Sequence, residues 1–213
     1  MTRKARFVAG GHRLDVSELT YSSVVQRDSI RILLLVAALN DLDISCTDIQ
    51  NAYLSAPARE RVFFVAGPEI GSQAGLFVQV TRALYGLKTS GASFRSLLSS
   101  NLRDLGYVAS QADPDVYLRP RRRHTFEYYE YVATYVDDIL CVSHAPEEFM
   151  TRLNILYTLK NLNNCRFFYY GLNFGFHGWV RFQWLTRFFF LIIIFSHDFN
   201  DIRVMGLKGW FLH

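Results

Sequence analysis

Long apolar runs are the first thing this sequence lacks. The most apolar stretch, residues 188–195, falls far short of the roughly 20 residues that a helix needs to span a bilayer. The amino terminus is basic, but no apolar segment of a secretory signal follows it. We therefore expect an intracellular protein, cytoplasmic or nuclear, that is neither secreted nor associated with a membrane.

Cysteine is also scarce, and the motifs of several common functional centres are missing. The 3 cysteines cannot all pair with one another, which favours a reducing compartment. None of the 6 histidines has zinc-ligand spacing with a cysteine or another histidine. There is no GxGxxG motif, no P-loop and no serine nucleophile elbow. These absences argue against zinc modules, the common nucleotide-binding folds and serine hydrolases.

The residues that are present suit a globular domain. Half of the 213 residues are hydrophobic and 20% are charged, so the chain can bury a core as one large domain or two small ones. The formal net charge of +4 and the pI near 9.0 mildly favour a polyanionic partner.

Residues 131–142 place two adjacent aspartates between two runs of Val, Ile, Tyr and Thr. Those residue types favour strands, and Asp favours turns. The segment therefore predicts a β-hairpin whose turn presents Asp137 and Asp138. Carboxylates in an apolar setting need a compensating charge, which a bound cation can supply. The alternative is a solvated turn without chemistry.

A third aspartate has two interpretations. Leu42, Ile44 and Cys46 alternate as one face of a strand, and Asp48 continues that face. Either the strand presents Asp48 for a purpose, or the strand has ended and Asp48 caps a helical turn at residues 49–54. The residues alone leave both interpretations open.

Apolar residues recur at helical spacing in three further stretches. Helices are predicted at residues 29–40, 92–105 and 146–159. For the first we expect Asp28 or Ser29 as the amino-terminal cap and Asn40 at the end. Gly106 is placed to end the second helix. In the third, the buried stripe is expected to continue to Leu159.

Two further segments are assigned to hairpins. Residues 62–65 and 76–80 are short apolar strands separated by Gly and Pro, and they predict a hairpin. Residues 119–123 carry the densest charge in the chain and lie between two strands. We expect a solvated hairpin tip there, with contact to a template or primer backbone as the alternative.

Six short motifs, taken in order, resemble those of copia-type LTR-retrotransposon reverse transcriptases. The resemblance covers residues 3–160, and several collinear motifs are more specific than any single one. The motifs are residues 4–10 (Lys-Ala-Arg-Phe-Val-Ala-Gly), 29–34 (Ser-Ile-Arg-Ile-Leu-Leu), 47–54 (Thr-Asp-Ile-Gln-Asn-Ala-Tyr-Leu), 84–88 (Leu-Tyr-Gly-Leu-Lys), 112–114 (Ala-Asp-Pro) and 135–138 (Tyr-Val-Asp-Asp).

The resemblance implies an α+β fold and a polymerase activity. Residues 1–160 would form fingers and palm, with an antiparallel palm sheet packed on helices. The activity would be RNA-directed DNA polymerisation, with an RNA or DNA template–primer and dNTPs as substrates. Asp48, Asp137 and Asp138 would be catalytic and would hold two Mg²⁺ ions, or Mn²⁺, with a backbone group of Ile49 beside the metal and the triphosphate. Two such ions, about 4 Å apart, stabilise both the attacking and the leaving oxygen.

The resemblance also implies residues that bind the nucleotide. Tyr53 matches an aromatic under the sugar that excludes a ribose 2′-OH, and Lys4 and Arg6 match cations that hold the triphosphate. By the same resemblance, Lys88 and Thr89 would lie near the incoming nucleotide, and the family usually has Gln in place of Thr89. Without the family, Tyr53 would be assigned to the core, and Lys4 and Arg6 to an exposed strand.

The remaining residues, 161–213, are predicted to be a divergent tail with no recognisable thumb. Aromatic residues crowd there without a period of two or 3.6. A frameshifted or degenerate element is our hypothesis for this texture. Two other functions therefore stand beside the polymerase: a catalytically inactive nucleic-acid-binding relic, and a degenerate fragment without function. The oligomeric state is not predicted.

Overall fold

The computed structural model describes residues 7–11, 20–160 and 162. Lys4, Arg6 and, apart from residue 162, the tail predicted at 161–213 lie outside the described residues. In chain order the elements are α1 (Arg27–Leu39), β1 (Asp43–Ile49), α2 (Ala52–Ser55), β2 (Phe63–Val65), a 3₁₀ segment (Pro68–Gln73), β3 (Phe77–Gln79), α3 (Ser90–Asp104), β4 (Val108–Ala109), β5 (Val116–Arg123), β6 (Phe126–Tyr135), β7 (Asp138–Ser143), α4 (Pro146–Leu156) and β8 (Leu159–Lys160).

Six of the strands form one antiparallel sheet in the order β4-β5-β6-β7-β1-β8. The strands β6 and β7 are joined by the predicted hairpin, and β1 pairs with β7 although 89 residues separate Asp48 from Asp137 in the sequence. The strands β2 and β3 form a separate two-stranded sheet, as predicted from their apolar runs. The fold is therefore mixed α and β around an antiparallel sheet.

Helices cover both faces of the large sheet. Along β7, Ile139 and Cys141 belong to one buried cluster, and Leu140 and Val142 to another. Because successive strand residues point to opposite faces, the two clusters lie on opposite sides of the sheet. The first contains the large buried apolar side chains of α3 and α4, and the second contains the buried residues of α1. Within the described residues, no helix has the length and apolarity that crossing a membrane requires.

The second predicted helix is confirmed in both its buried face and its end. Phe94, Leu98 and Leu102 recur every four residues on α3 and are buried. Gly106 follows the helix with φ near +89°, a left-handed conformation that glycine adopts without steric cost.

The amino-terminal cap of the first predicted helix was placed wrongly. The helix α1 starts at Arg27, so Asp28 and Ser29 lie inside its first turn. The carboxylate of Asp113, 87 residues further along the chain, accepts a hydrogen bond from the amide of Gln26 at 2.9 Å. That long-range contact fixes the start of the helix in place of a local cap. The predicted end is confirmed, because the Asn40 amide donates to the Val36 carbonyl.

Two other predictions are corrected. The helix α4 ends at Leu156, which is exposed, and Leu159 belongs to β8, so the buried stripe stops at Leu153. Residues 119–123 are part of β5, and the hairpin tip lies beyond them. Arg119 is buried and donates to Glu130 at 2.6 Å. A partner on the neighbouring strand makes this burial possible, because a buried charge is tolerated when it is paired.

Candidate functional site

Two of the three aspartates face each other across neighbouring strands. Asp48 pairs with Asp138 in the antiparallel register of β1 and β7. Asp48 is thus a strand residue, and the cap of the following turn, α2, is Asn51. Directly opposite residues in such a sheet have Cβ atoms about 4.5–5.5 Å apart. The sheet itself therefore brings these two carboxylates together.

The third aspartate lies in the turn of the β6–β7 hairpin. Val136 and Asp137 are the two residues between the paired positions Tyr135 and Asp138. Val136 has φ near +56° and Asp137 does not have a positive φ, the pattern of a type II′ turn. A left-handed conformation is strained for a β-branched residue, and such strain is common at functional sites.

A hydrogen bond ties this turn to the strand that carries Asp48. The amide of Ile49 donates to the carbonyl of Asp137 at 2.8 Å. The Ile49 side chain is buried in the core cluster under α3 and α4. The amide of Ile49 is thus used within the sheet, where it holds the Asp137 backbone beside β1.

The three carboxylates affect one another electrostatically. Asp138 is 7% exposed, and its pKa is raised from 3.8 to about 7, first by burial and then by the charges of Asp137 and Asp48. Like charges held in one place by the backbone disfavour ionisation. A cation bound between them would reverse that effect, since hard divalent ions prefer carboxylate oxygens.

The described residues do not form a closed metal cage. Among residues 7–11, 20–160 and 162, no group of three or more His, Cys, Asp or Glu side chains lies close enough to hold an ion in common. The chemistry of the donor set nevertheless suits a divalent cation, because Asp48, Asp137 and Asp138 carry acceptor-only oxygens and mutual repulsion.

Tyr53 lies beside the aspartates, on the one-turn helix α2 that follows β1. Its ring packs against Tyr85 at 4.7 Å and Phe94 at 6.3 Å between centroids. The pKa of Tyr53 is raised by burial, by Tyr85 and by the charge of Asp137. The ring is half-buried. One side of it packs against the core cluster, and the rest is exposed near Asp137.

Gly91 lies next to Ser22, a second part of the chain, and near the Tyr53 hydroxyl. A Cβ added to Gly91 would lie 3.2 Å from Ser22 Cβ and 4.0 Å from the Tyr53 hydroxyl oxygen. Sequence reasoning did not assign Ser22 to the site, because it lies 31 residues from Tyr53 with no motif around it.

The segment that contains Ser22 is held by a buried carboxylate that was also missed. Asp115 accepts a hydrogen bond from the Ser23 hydroxyl. It also forms an ion pair with Arg95, whose Nε lies 2.7 Å from the Asp115 carboxylate. Asp113 accepts the Asp115 amide at 3.1 Å as well as the amide of Gln26. The Ala-Asp-Pro motif thus has a visible structural role, since its carboxylate positions the backbone before α1.

The two remaining predicted residues differ sharply in exposure. Lys88 is exposed. Thr89 is 1% exposed, and its amide and hydroxyl both donate to the Glu60 carboxylate, at 2.9 and 2.6 Å. Burial alone would raise the pKa of Glu60, but these hydrogen bonds lower it. Contact between Thr89 and a nucleotide stays a prediction, and Glu60 is a partner that the sequence did not reveal.

Comparison with known proteins supplies the family. The family described as reverse transcriptase (RNA-dependent DNA polymerase) matches residues 1–181. The chain is 32% identical over 149 residues to the Retrovirus-related Pol polyprotein from transposon RE1 of Arabidopsis thaliana, a match that covers 67% of this chain and 10% of that protein. It is 29% identical over 145 residues to the corresponding polyprotein from transposon TNT 1-94 of Nicotiana tabacum, with 65% and 11% covered.

A yeast protein extends the set of relatives. The Transposon Ty1-BL Gag-Pol polyprotein of Saccharomyces cerevisiae is 35% identical over 107 residues, which are 47% of this chain and 6% of that protein. The chain spans about a tenth of the length of the plant relatives it matches. No solved structure matches it significantly. Because the family match covers most of its length, the chain belongs to the reverse transcriptase (RNA-dependent DNA polymerase) family, among the Pol polyproteins of copia-type transposons.

Proposed function

We propose that this chain is the RNA-directed DNA polymerase segment of a copia-type Pol polyprotein and extends a primer with dNTPs. The observation that carries the proposal is the pairing of Asp48 with Asp138, with Asp137 in the adjoining turn. The six-stranded sheet would then be the palm. Residues 1–160 would form fingers and palm, and the residues beyond would form a divergent tail.

Asp48, Asp137 and Asp138 would hold the divalent ions, two Mg²⁺ or Mn²⁺. Such ions supply charge stabilisation for the attacking and leaving oxygens of nucleotidyl transfer. The protein contributes the placement of the oxygens. The strand register fixes Asp48 and Asp138, and the Ile49 amide holds the turn that carries Asp137.

The neighbouring side chains would select and orient the nucleotide. Tyr53 would lie under the sugar, where its ring would leave no room for a 2′-OH. The ring packs against Tyr85 and Phe94, which would keep it in that position. Lys88 is exposed and could reach a phosphate. Lys4 and Arg6 remain candidates for the triphosphate on the motif alone.

Primer extension on an RNA template tests the proposal. The parent protein is compared with Asp137→Asn in the presence of Mg²⁺ or Mn²⁺, and with Asp104→Asn as a control at an exposed position on α3. We expect extension by the parent and by Asp104→Asn, and none by Asp137→Asn. A folded parent that extends no primer would exclude the polymerase activity.

One observation favours the second candidate, a catalytically inactive nucleic-acid-binding relic. Thr89 stands where the family usually has Gln, and its amide and hydroxyl both donate to the Glu60 carboxylate. A relic would bind a primer–template with an affinity that falls steeply with salt, yet would not extend it. The same samples therefore separate the two functions.

A further inference from the structure

The buried carboxylate of Asp115 connects two parts of the chain that are distant in sequence. Asp115 is 1% exposed and directly precedes β5. One of its carboxylate oxygens accepts a hydrogen bond from the Ser23 hydroxyl, and the other accepts one from Nε of Arg95, on α3, at 2.7 Å. A buried charge is tolerated when it is paired in this way. The carboxylate therefore fixes the segment before α1 relative to α3.

The backbone of Asp115 makes a separate connection, to the strand that leads into the aspartate hairpin. Its carbonyl accepts the amide of Thr134, on β6, at 2.9 Å, and the carbonyl of Thr134 accepts the amide of Val25 at 3.1 Å. Thr134 precedes Tyr135, the last paired residue before the turn. These two contacts use backbone atoms, so a substitution of the Asp115 side chain leaves their donors and acceptors in place.

The segment that the Asp115 carboxylate holds includes Ser22, which lies against the first turn of α3. A Cβ added to Gly91 would lie 3.2 Å from Ser22 Cβ, 3.7 Å from Ser22 Oγ and 4.0 Å from the Tyr53 hydroxyl oxygen. Ser22 and the Tyr53 hydroxyl are thus neighbours of the same point above Gly91. Because glycine has no side chain, Ser22 can approach α3 this closely.

We infer that Asp115 is a positioning residue of the proposed polymerase, and that it holds Ser22 at Gly91 as the wall of the nucleotide site next to Tyr53. The inference rests on the proposed function, in which Tyr53 lies under the sugar of the incoming dNTP. A wall of this kind contacts the nucleotide in the ground state and in the transition state alike. Moving it should therefore change KM for the dNTP and leave kcat nearly unchanged.

Two variants displace Ser22 by unrelated routes. Asp115→Asn weakens the contacts with Ser23 and Arg95, whereas Gly91→Ala places a Cβ 3.2 Å from Ser22 Cβ and leaves Asp115 intact. Their effects on folding are opposite, because the first breaks a buried ion pair and the second replaces glycine by a better helix former. An effect on KM that both variants share therefore does not come from a change in stability.

Single-nucleotide incorporation kinetics give the first readout. We expect KM for the dNTP to rise about 10-fold in Asp115→Asn, as for loss of a hydrogen bond to a charged group, with kcat within about 2-fold of the parent. In Gly91→Ala, KM should rise as well. The matched controls are Asp104→Asn and Ser100→Ala, both at exposed positions of α3, and both should match the parent. Thermal unfolding checks that each variant is folded.

The double variant Asp115→Asn/Arg95→Met separates positioning from stability. It removes both charges of the ion pair, so it should recover most of the stability that Asp115→Asn loses. Ser23 would still face a neutral amide instead of a carboxylate, so the raised KM should persist. Recovery of the parent KM together with the stability would overturn the inference, because Asp115 would then act on folding alone.

Fluorine NMR tests the placement of Ser22 without requiring catalysis. A fluorotyrosine is incorporated at position 53 of the full chain, and its resonance is compared between the parent, Ser23→Ala and the control Ser100→Ala. Ser23→Ala removes a contact with Asp115 without changing any charge. We expect it to shift the resonance, because Ser22 moves relative to the ring, and we expect no shift in the control. An unchanged resonance in folded Ser23→Ala would overturn the inference.

Failure of the proposed function gives a different result from failure of the inference. A folded parent that extends no primer, but whose fluorine resonance shifts in Ser23→Ala, loses the catalytic assignment. Asp115 would remain the residue that positions Ser22 beside Tyr53. A parent that extends a primer with the same KM as folded Asp115→Asn and Gly91→Ala keeps the polymerase activity and excludes Ser22 from the nucleotide site.

Discussion

Asp48 and Asp138 occupy the last paired position between β1 and β7, so the backbone holds their carboxylates side by side. Asp138 is buried, and its pKa is raised first by that burial and then by Asp137 and Asp48. Without a counter-charge this arrangement costs folding free energy. A cation bound at this position would offset the cost.

Replacing Asp138 by Asn should make the protein more stable without metal and should weaken its stabilisation by metal. Without metal, we expect the free energy of unfolding to rise by about 1 kcal/mol, because a buried repulsive charge is removed. Excess Mg²⁺ or Mn²⁺ should stabilise the parent, by about 2.7 kcal/mol at 100 times Kd, and should stabilise Asp138→Asn far less. Urea unfolding with and without the ion measures both effects. Asp104→Asn serves as the control, and an equal response of Asp138→Asn and the parent would contradict the assignment.

Tyr53 should control the choice between deoxyribonucleotides and ribonucleotides. Tyr53→Val removes a ring that Tyr85 and Phe94 hold in place. We expect ribonucleotide incorporation relative to deoxyribonucleotide to rise about 10- to 100-fold, the usual range for a steric difference in a pocket. Tyr53→Phe keeps the ring and should keep the parent ratio. Single-nucleotide incorporation kinetics give these ratios, and an unchanged ratio in folded Tyr53→Val would remove Tyr53 from the sugar site.

Glu130 should contribute much more to the stability of the protein than an exposed glutamate does. It is fully buried and accepts hydrogen bonds from Tyr107 at 2.5 Å, from Ser143 at 2.6 Å and from Arg119. Glu130→Gln leaves the Arg119 charge buried without its counter-ion, which should cost about 3–5 kcal/mol of unfolding free energy. Glu127→Gln, on the exposed part of the same strand, should cost less than about 0.5 kcal/mol. Urea denaturation of the two variants tests the difference.

The sequence predicts those parts of the fold that depend on local pattern. The helix α3 follows from the spacing of Phe94, Leu98 and Leu102, and the aspartate hairpin follows from strand formers on both sides of Asp137. For α3, the spacing of the buried residues matches the helical period of the sequence. Every residue of β7 is buried, so the hairpin follows from residue types and not from a period. Gly106 marked a helix end for the same reason, because its left-handed conformation is a local requirement.

The sequence does not predict contacts that depend on strand register. Arg119 was assigned to a solvated tip because its partner, Glu130, is recognised only when β5 and β6 are aligned. Thr89 and Glu60 are 29 residues apart, and no local pattern connects them. For Asp48, two interpretations stayed open until β1 was paired with β7. The chemistry of a polar residue depends on its partner, and a partner distant in sequence leaves no periodic signal.

Acid should destabilise the protein partly through Glu130. Burial alone would raise the pKa of Glu130, but hydrogen bonds from Ser143, Tyr107 and Arg119 hold it below the ordinary value of 4.5. A carboxyl group with a lowered pKa contributes stability that is present above the unfolded pKa and is lost as pH falls through the folded pKa. We therefore expect the unfolding free energy of the parent to decline below about pH 4.5. Urea titrations at several pH values should show a shallower decline for Glu130→Gln, and parallel curves would contradict this origin.

Variants of Val136 test whether the strained backbone of the turn helps to position Asp137 for the reaction. Its φ near +56° costs a residue with a Cβ about 1–2 kcal/mol, and glycine avoids that cost. Val136→Gly should therefore unfold with a free energy about 1 kcal/mol higher than Val136→Ala, which loses the same methyl groups but keeps the Cβ. If strain fixes the turn for catalysis, Val136→Gly should also extend a primer more slowly than Val136→Ala, because the glycine turn holds Asp137 less firmly beside β1. A glycine variant that is more stable and equally active would show that the strained turn is dispensable for the reaction.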